Sequence, residues 1–97
     1  MESPGTLDET RSLVRRDTLF ASQVDGETVI VSLETDSYYG FGKVGSRIWE
    51  LLSAPTTVEA LCRQLGEEYN VDPETCRQDT VAFLRQLLEQ KLIVQLD

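Results

Sequence analysis

No histidine occurs among the 97 residues, which removes the commonest general base and the commonest metal ligand together. No apolar run approaches the roughly 18 residues that span a bilayer, and no basic segment leads into an apolar one as in a secretory signal. The expectation is a cytoplasmic protein. Cysteine is limited to Cys62 and Cys76, which form neither a C-x-x-C pair nor part of a histidine cluster, so they read as two reduced, partly buried thiols. Positive charge is scarce as well: 9 Lys and Arg stand against 17 Asp and Glu, a net charge of -8. Clustered Lys and Arg dominate nucleic-acid affinity, and this balance disfavours it. The shortage is uneven, because the stretch from 17 to 42 holds Asp17, Asp25, Glu27, Glu34 and Asp36 with no Lys or Arg. Such a surface repels polyanions and favours a ligand with some positive charge.

What remains is about one small domain with one modest core, 40% of its residues being hydrophobic. Residues 1–16 mix Ser, Pro, Gly, Thr and charges with few larger apolar side chains, so they read as a flexible arm, and the domain as residues 17–97. A first strand is expected from Thr18 to Val24, then Asp25-Gly26, a pair suited to a tight hairpin turn. In Thr28 to Glu34 the alternation places Val29, Val31 and Leu33 on one face and Thr28, Ile30, Ser32 and Glu34 on the other. The first set is the expected inward face, with Ile30 as the exception. Thr35-Asp36-Ser37 reads as a turn, and Tyr38 to Phe41 as a short third strand at a sheet edge. Tyr39 and Phe41 share the core face, whereas Tyr38 points away with a phenol that can lie on apolar surface while its hydroxyl stays wet. Gly40 leaves room on that outer face. Two readings stay open: a landing surface for a partner, or a sheet cover and a glycine-shaped exit into the next helix.

From Val44 to Leu52 the apolar residues at 44, 48, 51 and 52, with Trp49 beside them as a core residue, follow one helical face, ended by Ala54-Pro55. Thr56 or Thr57 caps a second helix with the inward stripe Val58, Leu61, Cys62, Leu65 and Tyr69. Asp72 caps a third that starts at Pro73, carries Cys76, Thr80, Phe83, Leu84, Leu87 and Leu88 inward, and stops near Lys91. Leu92-Ile93-Val94 follows as a short extended tail. The predicted fold class is α+β, winged-helix-like: an N-terminal three-stranded antiparallel sheet followed by three α-helices. Gly40-x-Gly42-x-x-Gly45 spells a dinucleotide-binding motif, but the long alternation of parallel strands and helices that such a site needs is absent. No catalytic residue, metal site or cofactor is expected.

Y-Y-G-F-G-K-V-G-S-R-I-W-E-L-L, then T-T-V-E-A-L-C-R-Q-L-G-E-E-Y-N-V-D-P-E, then D-T-V-A-F-L-R-Q-L-L-E-Q-K-L-I resemble the PqqD family over roughly residues 17 to 96. These are leader-recognition domains for ribosomally made, post-translationally modified peptides, and the resemblance is strongest to the free-standing proteins of lasso-peptide pathways. The family often has Leu-Asn where this chain has Phe41-Gly42, which removes a helix-capping side chain, and a β-branched apolar residue where it has Thr80. The resemblance implies a non-catalytic adaptor that receives a precursor's leader peptide as an added strand at Ser37 to Phe41, beside the third helix, and presents it to a separate cysteine-protease-type leader peptidase. It implies a pocket drawn from Tyr38, Tyr39, Thr80, Phe83, Leu84 and Leu87, and polar contacts from Glu34, Asp36, Asp79 or Gln86, with Gly40 and Phe41 in the edge itself. Asp79 would pair with a leader Lys or Arg. Phe83, Leu84 and Leu87 each fit an ordinary core position too, and Asp79 a solvated acid. Two other classes compete. An acidic winged-helix regulatory or interaction module lacks a basic recognition helix for DNA, and a thiol enzyme lacks a histidine partner. Whether the free protein is a monomer or a weak dimer through its open edge stays undecided.

Overall fold

The structure, a computed structural model, describes residues 7–16, 20–25, 27–32 and 37–96. Its elements in chain order are β1 (Leu13–Arg15), β2 (Phe20–Val24), β3 (Glu27–Ser32), β4 (Ser37–Phe41), α1 (Lys43–Leu51), α2 (Val58–Glu68), α3 (Pro73–Glu89) and β5 (Ile93–Gln95). The strands form two antiparallel sheets, one of β2, β3 and β4 in that spatial order, the other of β1 and β5.

The second sheet places Leu13–Arg15, part of the segment 1–16 read from sequence as a flexible arm, in a paired strand. Leu13 is fully buried, its backbone pairs with Gln95, and its amide donates to Thr56 O at 2.6 Å. Arg15 N donates to Leu52 O, its guanidinium donates to Trp49 O at 3.3 Å, and its Cζ lies 5.6 Å from the centre of the Trp49 ring. Three consecutive residues with only one obligatory apolar side chain give too short a pattern for alternation to register. The partner that supplies the pairing is some eighty residues away. The three-stranded sheet is therefore not the first element of the fold.

In the β2–β3 hairpin, Asp25 adopts the positive φ of 53° expected of its turn. The facing of β3 is the reverse of the expectation. Thr28 and Ile30 are buried, while Val29 is half-buried and Val31 exposed. Register decides this: Thr28 opposes Phe41 and Ile30 opposes Tyr39, so the residues beside the inward aromatics must themselves point inward. Ser46 makes the buried end of this pairing tolerable. Its Oγ accepts from Thr28 N at 2.7 Å and donates to Phe41 O at 3.2 Å, so both sheet strands are tied to α1.

The helices follow their local signals. Thr57 Oγ1 accepts from Ala60 N, and an Asp72 carboxylate oxygen accepts from Thr75 N ahead of Pro73 at the first helical position. Without a side-chain cap at Gly42, α1 starts from an extended backbone alone. Ile48, Trp49, Leu52, Val58, Leu61, Leu65, Cys76, Leu84 and Leu87 join Ile30, Phe41, Leu92 and Ile93 in one core. Val44, expected inward, is exposed.

Where α3 ends, Leu92 N donates to Leu87 O and Lys91 N to Leu88 O, with Lys91 at φ 61°. This double reversal closes the helix through a left-handed residue, usually glycine. It folds Leu92 back beneath Leu87 and launches β5.

Candidate functional site

β4 lies at one side of its sheet, pairing with β3 alone among the described residues. In an antiparallel ladder alternate residues direct their N–H and C=O groups to one neighbour, so a strand with one neighbour leaves the other set for a second chain. Alongside this edge runs a groove of about 430 Å³, walled on one side by Tyr38, Tyr39, Gly40 and Phe41 and on the other by Phe83, Gln86, Leu87 and Gln90 of α3 and its exit, with Leu92 beneath.

Its floor is a set of packed aromatic and aliphatic groups. The Phe41 ring meets Phe83 edge-on, centroids 5.2 Å apart, and Trp49 at 5.8 Å. Gly45 of α1 permits this approach, since a Cβ there would lie 3.2 Å from both Phe41 Cβ and Phe83 Cζ. The Tyr39 hydroxyl donates to Gln90 Oε1 at 2.9 Å and bridges the two walls. Tyr38 stands outside with 79% of its surface exposed, and a Cβ on Gly40 would meet nothing within 4 Å. The groove thus offers a strand edge with no second neighbour among the described residues, an open approach and a largely buried apolar floor.

Phe83 also forms part of a second cavity of about 380 Å³ between α1, α2 and α3, with Val44, Ile48, Leu65, Tyr69 and Val71 for apolar walls and Asp79, Thr75 and Thr80 as its polar groups. The residues expected from sequence therefore divide. Tyr38, Tyr39, Gly40, Phe41, Phe83, Gln86 and Leu87 come together at the β4 groove, where Ser37 begins the strand. Asp79 and Thr80 belong to the neighbouring cavity, Asp79 exposed and Thr80 almost wholly buried. Leu84 has no exposed surface and lines neither space, so it is a core residue that supports Phe83 and Leu87 from behind. Glu34 and Asp36 lie outside the described residues. Gln90 and Leu92 were missed; Gln90 continues the spacing of Phe83, Gln86 and Leu87 along one helix face, which was a usable signal.

Among the described residues no group of three or more His, Cys, Asp or Glu is arranged to hold a metal ion, and no helix is long and apolar enough to cross a membrane. Burial raises the pKa of the Cys62 thiol, against a lowering contribution from Thr80, which disfavours its thiolate.

The family described as Coenzyme PQQ synthesis protein D (PqqD) matches residues 27–93. Among solved structures, "TbiB1 in Complex with the TbiA(beta) Leader Peptide" is 35% identical, with 82% of this chain and 93% of that chain covered at a TM-score of 0.75. "Lasso peptide synthetase B1 complexed with the leader peptide" is similar at 18% identity, with 84% and 96% covered and a TM-score of 0.74. The PqqD truncation of Methylobacterium extorquens PqqCD, a stand-alone recognition element for ribosomally synthesized and post-translationally modified peptides, is similar at 15% identity, with 94% and 97% covered and a TM-score of 0.77. The last two likenesses concern the fold. No curated protein matches the chain.

Proposed function

The chain belongs to the PqqD family, and from that premise we propose that it is a non-catalytic adaptor of lasso-peptide biosynthesis in the cytoplasm, binding the leader of a precursor peptide and presenting it to a separate cysteine-protease-type leader peptidase. The observation that carries this reading is the open edge of β4 beside the α3 groove. The leader adds to β4 as a strand, drawing affinity from backbone hydrogen bonds, while its alternate side chains enter the groove over Phe41, Phe83, Leu87 and Leu92. Tyr38 and Gln86 close over it from the two rims, and the winged-helix-like arrangement of helices and sheet serves as a rigid cradle. Where the leader runs on along α3 it reaches the second cavity, where Asp79 meets a leader Lys or Arg and Thr80 stands at the wall. Glu34 and Asp36, which precede Ser37 in the sequence, add further negative charge for such a leader. A 35% identical relative solved with a leader peptide supports the ligand class.

The test is fluorescence anisotropy with labelled leader peptides from small precursor genes neighbouring this one, using the wild-type protein and Tyr38→Ala and Phe83→Ala variants with folding checked by circular dichroism. Sub-micromolar binding, weakened about tenfold by either substitution, is expected for anchors of this size. A folded protein that ignores every neighbouring leader would overturn the reading.

A further inference from the structure

The reversed facing of β3 places apolar side chains on the outer surface of the three-stranded sheet. Val24, Val31 and Tyr38 are 56%, 40% and 79% exposed, half of the exposed large apolar side chains among the described residues. Register sets Val31 beside Tyr38, and Val29 beside Gly40. Toward the hairpin end lies a depression of about 380 Å³ with Val24, Val29, Gly40 and Gly42 on its surface and the carboxylates of Asp25 and Glu27 at its border. A Cβ on Gly42 would come within 3.8 Å of Glu27 Oε1, so the bare glycine leaves that carboxylate oxygen open from above. The described ion pairs join Arg47 to Glu50 and Glu68, Arg63 to Glu59, and Arg77 to Glu9; Asp25 and Glu27 take part in none of them.

We propose that this outer sheet face is a docking surface for a second protein that presents apolar side chains bordered by Lys or Arg, and that in the adaptor reading above, on which this inference rests, that protein is the leader peptidase. Three features select this occupant. The apolar row runs across β3 and β4 through the cross-strand pairs Val31–Tyr38 and Val29–Gly40, a spread suited to a folded protein surface more than to a small molecule. Its border is acidic in a segment without any Lys or Arg from 17 to 42, so the complementary rim is basic. A long basic side chain fits the depression, its methylenes over Gly40 and Val29 and its charge at Glu27 and Asp25. The face is also continuous with the groove, because Tyr38 and Gly40 belong to the strand whose edge receives the leader. A protein seated there touches the bound leader without covering the β4 edge. The peptidase is held beside its substrate on a surface that shares only Tyr38, Gly40 and Phe41 with the leader's groove.

The experiment uses the full-length protein, its neighbouring leader peptide and the purified peptidase encoded beside it, with Val31→Lys and Glu27→Lys variants. Both substitutions fall at exposed positions that do not line the α3 groove. Leader affinity is read by anisotropy and peptidase affinity by calorimetry at two salt concentrations. The inference expects leader affinity within about twofold of wild type, peptidase affinity reduced at least tenfold in each variant, and wild-type peptidase binding that weakens as salt rises. Peptidase binding unchanged in both variants, no peptidase binding by the wild type, or an equal loss of leader binding would each overturn it. Failure of the adaptor reading has a different signature, namely wild-type protein that does not bind the leader at all.

Discussion

The hydroxyl of Tyr39 and the side-chain oxygen of Gln90 meet at 2.9 Å, linking the middle of an edge strand to the residue that ends the longest helix, 51 positions later. The bond spans the groove's two walls and fixes their separation where a peptide would lie. Tyr39→Phe keeps the ring and removes the bond. The expected cost in denaturant unfolding is under about 1 kcal/mol, because the pair is exposed to water. Leader affinity is expected to fall several-fold, as the binding surface then spends part of its energy on ordering. A Tyr39→Phe protein with unchanged affinity would show that the groove's width is set by the core beneath it alone.

Leu13 separates an ordered β1 from a loose arm. Leu13→Ala empties a fully buried site between β5 and Thr56, and the expected loss of stability is about 2–5 kcal/mol. In a mobile arm the same change would cost almost nothing. Urea denaturation followed through Trp49 fluorescence decides between them.

Lys91 occupies a left-handed backbone conformation, with φ 61°, in a helix-ending motif that favours glycine. Lys91→Gly is expected to raise stability by about 1 kcal/mol, the relief of a side-chain clash exceeding the added freedom of the unfolded chain. The Lys91 carbonyl still accepts from Arg16, so the motif's external bond survives the exchange. A lower thermal midpoint for the glycine variant would contradict this account of the turn.

Arg47 of α1 grips Glu68 in the last turn of α2 through contacts of 2.7 to 3.0 Å and holds its carboxyl at a pKa of about 2, below the ordinary 4.5. A carboxylate with a depressed folded-state pKa stabilises fully above its unfolded value, and the contribution fades as pH falls from about 4.5 through about 2. Wild type is therefore expected to exceed Glu68→Gln in stability at neutral pH, with the gap closing across that acid window. Parallel pH profiles of thermal unfolding check it; a gap that persists below pH 2 would assign the effect to the lost Gln64 contact instead.

The second and third helices were legible because they carried their own punctuation: Thr57 and Asp72 cap where their residue types said they would, and Leu61, Leu65, Leu84 and Leu87 fall on the predicted stripes. β3 was not legible from its own alternation. Val29 and Val31 outnumber Ile30, so counting apolar residues chose the wrong face. The inward placement of Tyr39 and Phe41 was read correctly and would have fixed β3 as well, had the register between the two strands been available. A shift of one residue in register reverses it, and reading Thr35-Asp36-Ser37 as a turn does not by itself set that register. The groove followed the same pattern. Its β4 wall and Phe83, Gln86 and Leu87 were visible as a strand and a helix face, but Leu92 reaches the floor only through the reversal after α3, and Leu84 on the same stripe turned out to be sealed in the core.

The β1–β5 pairing, reinforced by Asp8 N donating to Gln95 Oε1 and Arg11 Nε to Leu96 O, brings the first and last described segments of the chain side by side. In topological terms the domain is a nearly closed ring. Joining its ends with a short linker and reopening it in the loop between α1 and α2 would give a circular permutant with the same set of neighbours. It also means that the described chain begins and leaves off at one place on the surface, so a tether attached beside Asp8 and one attached beside Leu96 start from nearly the same point.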